Sequence, residues 1–170
     1  MSTADPNAAA PNAGDAPLDA ELRAQIEAVM RASETNRAAC MDALKIVQKR
    51  FGHVSDRHLD ETAALLGMTP AELDGVATFY NLVFRRPVGR HVILLCDSIA
   101  CWVMGADAAR AQIRDRLGIA PGETTPDGRF TLLPIVCLGC CDRAPAMMVG
   151  DDLHGPLDAA KLDEILERYR

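Results

Sequence analysis

The chain reads Val88-Gly-Arg-His-Val-Ile-Leu-Leu-Cys-Asp-Ser-Ile-Ala-Cys101 where its pattern changes from helical to strand-like. The run from Val88 to Leu95 is rich in β-branched and aliphatic residues, which is typical of a buried strand. We predict that this strand leads into Cys96, and that a helix follows from about Trp102 to Leu117. Cys96 and Cys101 then lie at the same edge of the sheet, with four residues between them in the connecting loop.

A second strand and a second pair of cysteines follow the same plan. Residues 130–136 predict a strand, and Pro134 within it favours the edge of a sheet. Cys137 follows this strand directly, and three residues separate it from Cys141. If the two strands are neighbours, the C-x4-C and C-x3-C pairs meet on one side of the sheet.

The rest of the chain predicts a tail and two folded parts. Residues 1–17 are dominated by alanine, proline, asparagine and aspartate, and we expect a disordered tail. Residues 18–86 contain four helical patterns, the last of which begins at a capping box of Thr69 and Glu72. Residues 87–170 predict the order strand, helix, strand, short strand, helix, with a turn at 150–152 before the last helix. The fold class is therefore α/β, with a helical bundle before a sheet domain.

Charge and composition disfavour several classes of function. The chain has 18 Lys plus Arg against 24 Asp plus Glu, and this net charge of -6 would repel nucleic acid. Its apolar runs are far shorter than the roughly 18 residues that span a bilayer, so we expect no direct membrane insertion. Neither a secretory nor a transit signal is visible, so we expect the six cysteines to lie in a reducing compartment. Metal binding or redox chemistry is then a more usual role for them than disulfide formation.

Four thiolates in two pairs suit either tetrahedral zinc or an iron-sulfur cluster, and their spacing leaves both open. Gly139 favours a cluster, because a residue without a side chain lets backbone N–H groups approach its sulfurs. None of the four histidines lies within a cysteine loop, which disfavours a Rieske centre. Cys40 lies on an apolar helical stripe and is expected to be a core thiol, and Trp102 is expected to be a packing residue.

Four motifs occur in the order Gly75-Val-Ala-Thr-Phe-Tyr80, Cys96-Asp-Ser-Ile-Ala-Cys101, Asp127-Gly-Arg-Phe-Thr-Leu-Leu-Pro134 and Cys137-Leu-Gly-Cys-Cys141-Asp-Arg-Ala-Pro145. Together they resemble the E-subunit family of bacterial NADH:quinone oxidoreductase, the 24 kDa subunit family of respiratory complex I. The resemblance covers about residues 19–170. It implies a thioredoxin-like ferredoxin domain that holds one 2Fe-2S cluster on Cys96, Cys101, Cys137 and Cys141. Cys140 departs from the family's pattern and places a second thiol beside the expected ligand Cys141.

The resemblance also implies a role in electron transfer. The cluster would accept single electrons from FMN on the NADH-binding F subunit, with the G subunit nearby. The sequence contains no Gly-x-Gly-x-x-Gly after a strand and no glycine-rich phosphate loop, so FMN and NADH are expected on the partner. The chain would then be part of an enzyme without a complete active site of its own. Its expected location is cytoplasmic, at the periphery of the inner membrane through the complex.

Two alternatives stay open from the sequence. The first is the equivalent diaphorase subunit of an NAD-dependent formate dehydrogenase or hydrogenase. The second belongs to a different class of protein, namely a zinc-stabilised interaction module without a redox role.

Overall fold

The computed structural model describes residues 16–169, which form two compact units, residues 16–87 and residues 88–169. Of the expected tail, residues 1–15 lie outside the described residues, and residues 16 and 17 belong to neither a helix nor a strand. None of the helices between residues 16 and 169 has the length and apolar character needed to cross a membrane.

The first unit is built from helices alone. They are α1 (Ala20–Ala32), α2 (Cys40–Phe51), α3 (Asp56–Leu66) and α4 (Pro70–Phe79). The predicted capping box is present at the start of α4, where the Glu72 carboxylate accepts a hydrogen bond from the Thr69 N–H at 2.9 Å. Cys40 lies in the buried core with an exposed fraction of 8%, which confirms the prediction of a core thiol.

The second unit contains a four-stranded sheet in the order β2-β1-β3-β4. The strands are β1 (His91–Cys96), β2 (Phe130–Ile135), β3 (Met147–Val149) and β4 (Asp152–His154). β1 and β2 run parallel, whereas β3 is antiparallel to both β1 and β4. Pro134 lies in the edge strand β2, as predicted, because a residue without an N–H donor is tolerated at an edge.

The other elements of this unit are the helices α5 (Ile99–Val103), α6 (Ala106–Leu117) and α7 (Ala159–Arg168), and a 3-10 turn at Cys141–Arg143. Side chains from the sheet, α6 and α7 share one core, which includes Ile93, Ile113, Phe130, Met147 and Ile165. A smaller buried cluster at the ends of β1 and β2 surrounds two of the cysteines.

Three sequence-based predictions need correction. The first strand begins at His91 rather than at Val88. The single helix predicted from Trp102 to Leu117 is two helices, because Gly105 adopts a φ of 102° and interrupts the helical backbone. The turn predicted at 150–152 is shorter, and its last residue begins the strand β4. That strand has only 3 residues, too few to show a periodic pattern.

Candidate metal centre

Cys96 and the start of the second cysteine loop lie at the same edge of the sheet. Cys96 is the last residue of β1, and its Cα is paired with Ile135, the last residue of the parallel strand β2. The Cys96 N–H donates a hydrogen bond to the Ala146 carbonyl at 3.1 Å, and only 2% of the residue is exposed. Because parallel neighbours end side by side, the predicted convergence of the two loops at one edge of the sheet is confirmed.

Cys101 lies within α5 rather than before a helix, which corrects the sequence-based prediction. Its exposed fraction is 2%, and its thiol forms a hydrogen bond with the thiol of Cys96. The two thiols therefore form a buried pair. It packs with three small side chains, those of Ala106, Ala144 and Ala146.

The other large side chains of α5 and the residue after it point to solvent. Trp102 is 59% exposed, so the expectation that it packs in the core is wrong. Ile99, Val103 and Met104 are more than half exposed as well. A helix of 5 residues has too few turns to bury two faces, and here its buried residue is Cys101. We call Ile99, Trp102, Val103 and Met104 the α5 patch.

Cys137 and Cys141 form a second, exposed pair. Their thiols are joined by a hydrogen bond, and both residues are exposed. Gly139 turns the loop between them with a φ of 75°, and its N–H donates a hydrogen bond to the Cys137 Sγ at 3.3 Å. This is the backbone donor to sulfur that the sequence predicts at Gly139, and it requires a left-handed conformation that favours glycine.

The surroundings of Cys101 and Cys141 raise the pKa of these two thiols and so favour their protonated form. Burial, followed by the hydrogen bond with Cys96, raises the pKa of the Cys101 thiol to about 11. The hydrogen bond with Cys137 raises the pKa of the Cys141 thiol. Thiolate is the form of cysteine that binds metal, so a metal cation would displace the protons from both pairs.

The arrangement in pairs fits a cluster with two irons. Within residues 16–169, no three His, Cys, Asp or Glu side chains surround a position where a single ion could bind. Each iron of a 2Fe-2S cluster takes two cysteine ligands, and the structure provides one buried pair and one exposed pair. Four cysteines in two pairs are therefore a donor set that fits this cluster.

Cys140 lies in the second cysteine loop, directly before Cys141. It is partly exposed, and it packs against the buried cluster that contains Cys96 and Cys101. Its carbonyl accepts a hydrogen bond from the Arg143 N–H at 3.0 Å, which closes the 3-10 turn that begins at Cys141.

Two supporting contacts were not predicted from the sequence. The fully buried Ala146 accepts the hydrogen bond from the N–H of Cys96, and the Leu157 N–H donates to the Pro145 carbonyl at 2.9 Å. The strand that leads into Cys96 was predicted, but its contact with Ala146 has no local signature in the sequence. No sequence signal linked Pro145 to Leu157, since the two segments meet only in the folded sheet.

Comparisons with known proteins identify the family of the chain. Residues 26–170 match the family model described as thioredoxin-like [2Fe-2S] ferredoxin. The chain is 48% identical to the E subunit of NADH-quinone oxidoreductase from Escherichia coli K12 over 153 residues, which cover 90% of this chain and 92% of the relative. It is also 48% identical to the protein of the same name in Pseudomonas aeruginosa over 147 residues, covering 86% and 89% of the two chains.

A solved structure shares the fold. The crystal structure of an NAD+-reducing [NiFe]-hydrogenase in the air-oxidised state matches with a TM-score of 0.67 and 26% sequence identity. The match covers 76% of this chain but only 22% of the hydrogenase chain. The present chain therefore corresponds to about a fifth of that larger one.

Proposed function

Since this chain belongs to the thioredoxin-like [2Fe-2S] ferredoxin family, and to the E-subunit family of NADH-quinone oxidoreductases, we propose that it is an electron-transfer subunit of such an enzyme. The observation that supports this most directly is the meeting of two cysteine pairs at one edge of the sheet. The proposed ligands of one 2Fe-2S cluster are Cys96, Cys101, Cys137 and Cys141.

When bound, a 2Fe-2S cluster takes up and releases one electron at a time. The chain's own residues would hold it in two different environments. Cys96 and Cys101 would bind it from the buried side, where β1 and α5 hold the two residues and only 2% of each is exposed. Cys137 and Cys141 would bind it from the exposed side, where the Gly139 N–H donates to the Cys137 sulfur. A donor at a ligand sulfur stabilises negative charge and so favours the reduced state.

The proposed electron donor is FMN on an NADH- and FMN-binding F subunit, with the G subunit nearby. NADH delivers two electrons as a hydride, so a flavin has to stand between NADH and a one-electron carrier. The 170-residue sequence contains no glycine-rich nucleotide loop, which supports placing both molecules on the partner. The chain would then lie on the cytoplasmic side of the inner membrane and be attached there through its partners.

We propose that the α5 patch faces the F subunit. α5 turns Cys101 toward the cluster site and exposes 59–77% of the large apolar side chains at Ile99, Trp102, Val103 and Met104. A group of exposed apolar residues on one short segment is typical of an interaction surface. A partner bound there would bring its flavin close to the buried thiol pair and keep water out of the path between them.

The comparisons favour this function over the second candidate from the sequence, the equivalent diaphorase subunit of an NAD-dependent formate dehydrogenase or hydrogenase. The fold is also found in a chain of the NAD+-reducing [NiFe]-hydrogenase, so the hydrogenase alternative has a structural counterpart. The identity of the subunits that co-purify with the chain from its native cells separates the two. A quinone-reducing complex supports the first candidate, and a hydrogenase or formate dehydrogenase large subunit supports the second.

Cysteine variants test the proposed ligand set. We expect the full-length chain, purified without oxygen, to contain equal amounts of iron and acid-labile sulfide. Cys96→Ala and Cys137→Ala should abolish the cluster, because each removes one member of a pair and leaves no side-chain atom that could bind iron. Cys140→Ala is the matched control, and it should leave the absorption and the paramagnetic signal in place. Stoichiometric zinc without sulfide in protein from the native complex would support the zinc-stabilised module instead.

A further inference from the structure

We infer that Cys140 is able to bind the cluster in place of Cys141, so that either of two adjacent thiols can complete the ligand set. The inference rests on the proposed function, because it assumes that the cysteine pairs hold a 2Fe-2S cluster. It concerns a residue outside the ligand set that the family resemblance implies.

The position of Cys140 brings it to the site. Cys140 packs against the buried cluster that contains Cys96 and Cys101, whereas Cys137 and Cys141 are exposed. The chain therefore has five cysteines around the site instead of four. Of the three in the second loop, Cys140 is the least exposed and packs against the residues that surround the buried pair.

The spacing allows the exchange. With Cys141 as ligand, the second loop is C-x3-C, and with Cys140 it becomes C-x2-C. Both spacings lie in the range of two to four intervening residues through which paired cysteines bind one metal ion. By contrast, Cys140 and Cys141 are adjacent and have no intervening residue, so the two of them together are not expected to bind the same iron.

The local backbone can follow the change. Gly139 has a φ of 75° and no atom within 4 Å of the position where a Cβ would lie, so the tip of the loop has space on its open side. The side chain of Cys140 makes no capping hydrogen bond to the 3-10 turn, which has only 3 residues. A rearrangement limited to these residues leaves Cys96 and Cys101 on their own elements.

The exchange is a balanced ligand substitution. The Cys140 thiol gives its proton to solvent and forms the iron–sulfur bond that Cys141 gives up, and the Cys141 sulfur takes up a proton. The oxidation state of the cluster does not change. The chain therefore keeps its cluster when the exposed Cys141 thiol is removed.

Alanine variants of the full-length chain test this inference. Cys141→Ala is informative because alanine, unlike serine, has no oxygen that could bind iron. We expect it to keep iron and sulfide at the level of the unmodified chain, with a shifted paramagnetic spectrum. The double variant Cys140→Ala/Cys141→Ala should contain at least roughly tenfold less iron than the unmodified chain, and so should the control Cys96→Ala. Even changes outside the ligand set lower metal affinity by about 10–100-fold, so the loss of a ligand should cost at least as much.

Thiol labelling with a maleimide gives a second readout that does not depend on activity. In the unmodified, cluster-loaded chain we expect Cys140 to react and the four ligands to be protected. In Cys141→Ala, Cys140 should become protected, and mass spectrometry of peptides identifies the labelled residue. Circular dichroism checks that each variant is folded.

Two results would overturn the inference. The first is a folded Cys141→Ala chain that loses its cluster as completely as Cys96→Ala while the unmodified chain keeps it. The second is retention of the cluster by the double variant, which would mean that another group binds the iron. An unmodified chain without iron and sulfide would refute the proposed function itself, so the two failures can be told apart.

Discussion

Replacing Gly155 with alanine should destabilise the second unit and disturb the second cysteine loop. A Cβ at Gly155 would lie well inside 3.0 Å of the Arg143 carbonyl oxygen, a separation that real Cβ atoms essentially never show. The Arg143 oxygen is a backbone atom and cannot turn away as a flexible side chain could, and the hydrogen bond from the Leu157 N–H to the Pro145 carbonyl at 2.9 Å holds the two segments together. Overpacking of this kind costs about 1–3 kcal/mol. Arg143 belongs to the 3-10 turn that begins at Cys141, so the displacement should also lower the cluster content.

Gly75→Ala is the matched control because it makes the same chemical change without a clash. Gly75 lies inside α4, is exposed, and has no atom within 4 Å of the position of a new Cβ. Alanine in a helix interior is more stable than glycine by about 0.5–1 kcal/mol. The two substitutions should therefore change the free energy of unfolding in opposite directions.

Urea titration of the iron-free chain in reducing buffer measures both changes. Fluorescence of Trp102, the chain's single tryptophan, reports on the second unit, and far-UV circular dichroism reports on the helices. With a slope of about 2 kcal/mol per molar urea, Gly155→Ala should lower the midpoint by about 0.5–1.5 M. A midpoint for Gly155→Ala equal to that of the unmodified chain would refute the close packing of Gly155 against Arg143. A lower midpoint for Gly75→Ala would refute the open position described for Gly75 in α4.

Three further predictions concern single side chains. Ile113→Ala should cost about 2–5 kcal/mol in the same titration, because Ile113 is fully buried (0% exposed) and its removal leaves a cavity; a cost below that range would contradict its place in the core. Trp102→Ser should change the free energy of unfolding by less than about 0.5 kcal/mol, because the side chain is 59% exposed, and circular dichroism replaces fluorescence as the probe. Glu72→Gln should change the pH dependence of stability, since hydrogen bonds from Thr69 lower the pKa of Glu72 from 4.5 to about 2. The lowered pKa means that the carboxylate stabilises the fold above pH 4.5 and loses this effect as the pH falls toward about 2, so thermal unfolding of the variant should depend less on pH in that interval. Equal pH dependence in both chains would contradict the capping role of Glu72.

The helical unit was predicted from sequence because its signals are local. The capping box at Thr69 depends on residues 3 apart, and the apolar stripe of Cys40 depends on helical spacing. The buried place of Cys40 follows directly from that stripe. Such patterns involve contacts between neighbours in the chain, which sequence reasoning reads directly.

The details of the site depended on contacts that are distant in sequence. The convergence of the two cysteine loops was predicted only for the case in which β1 and β2 are neighbours. The sequence does not show which strands pair, and the structure shows that these two do. The exposure of Trp102 was missed because the sequence does not show which way a side chain of the short helix α5 points, and here it points outward while Cys101 is buried. The contact between Gly155 and Arg143 joins segments 12 residues apart and has no local signature.

Paramagnetic resonance of the dithionite-reduced protein in its native complex, together with iron, sulfide and zinc analysis, tests the proposed function most directly. A 2Fe-2S cluster on the two cysteine pairs predicts a signal from a one-electron-reduced cluster, with iron and acid-labile sulfide in equal amounts. A colourless subunit that contains zinc or no metal, and that gives no signal after reduction, would contradict the proposal.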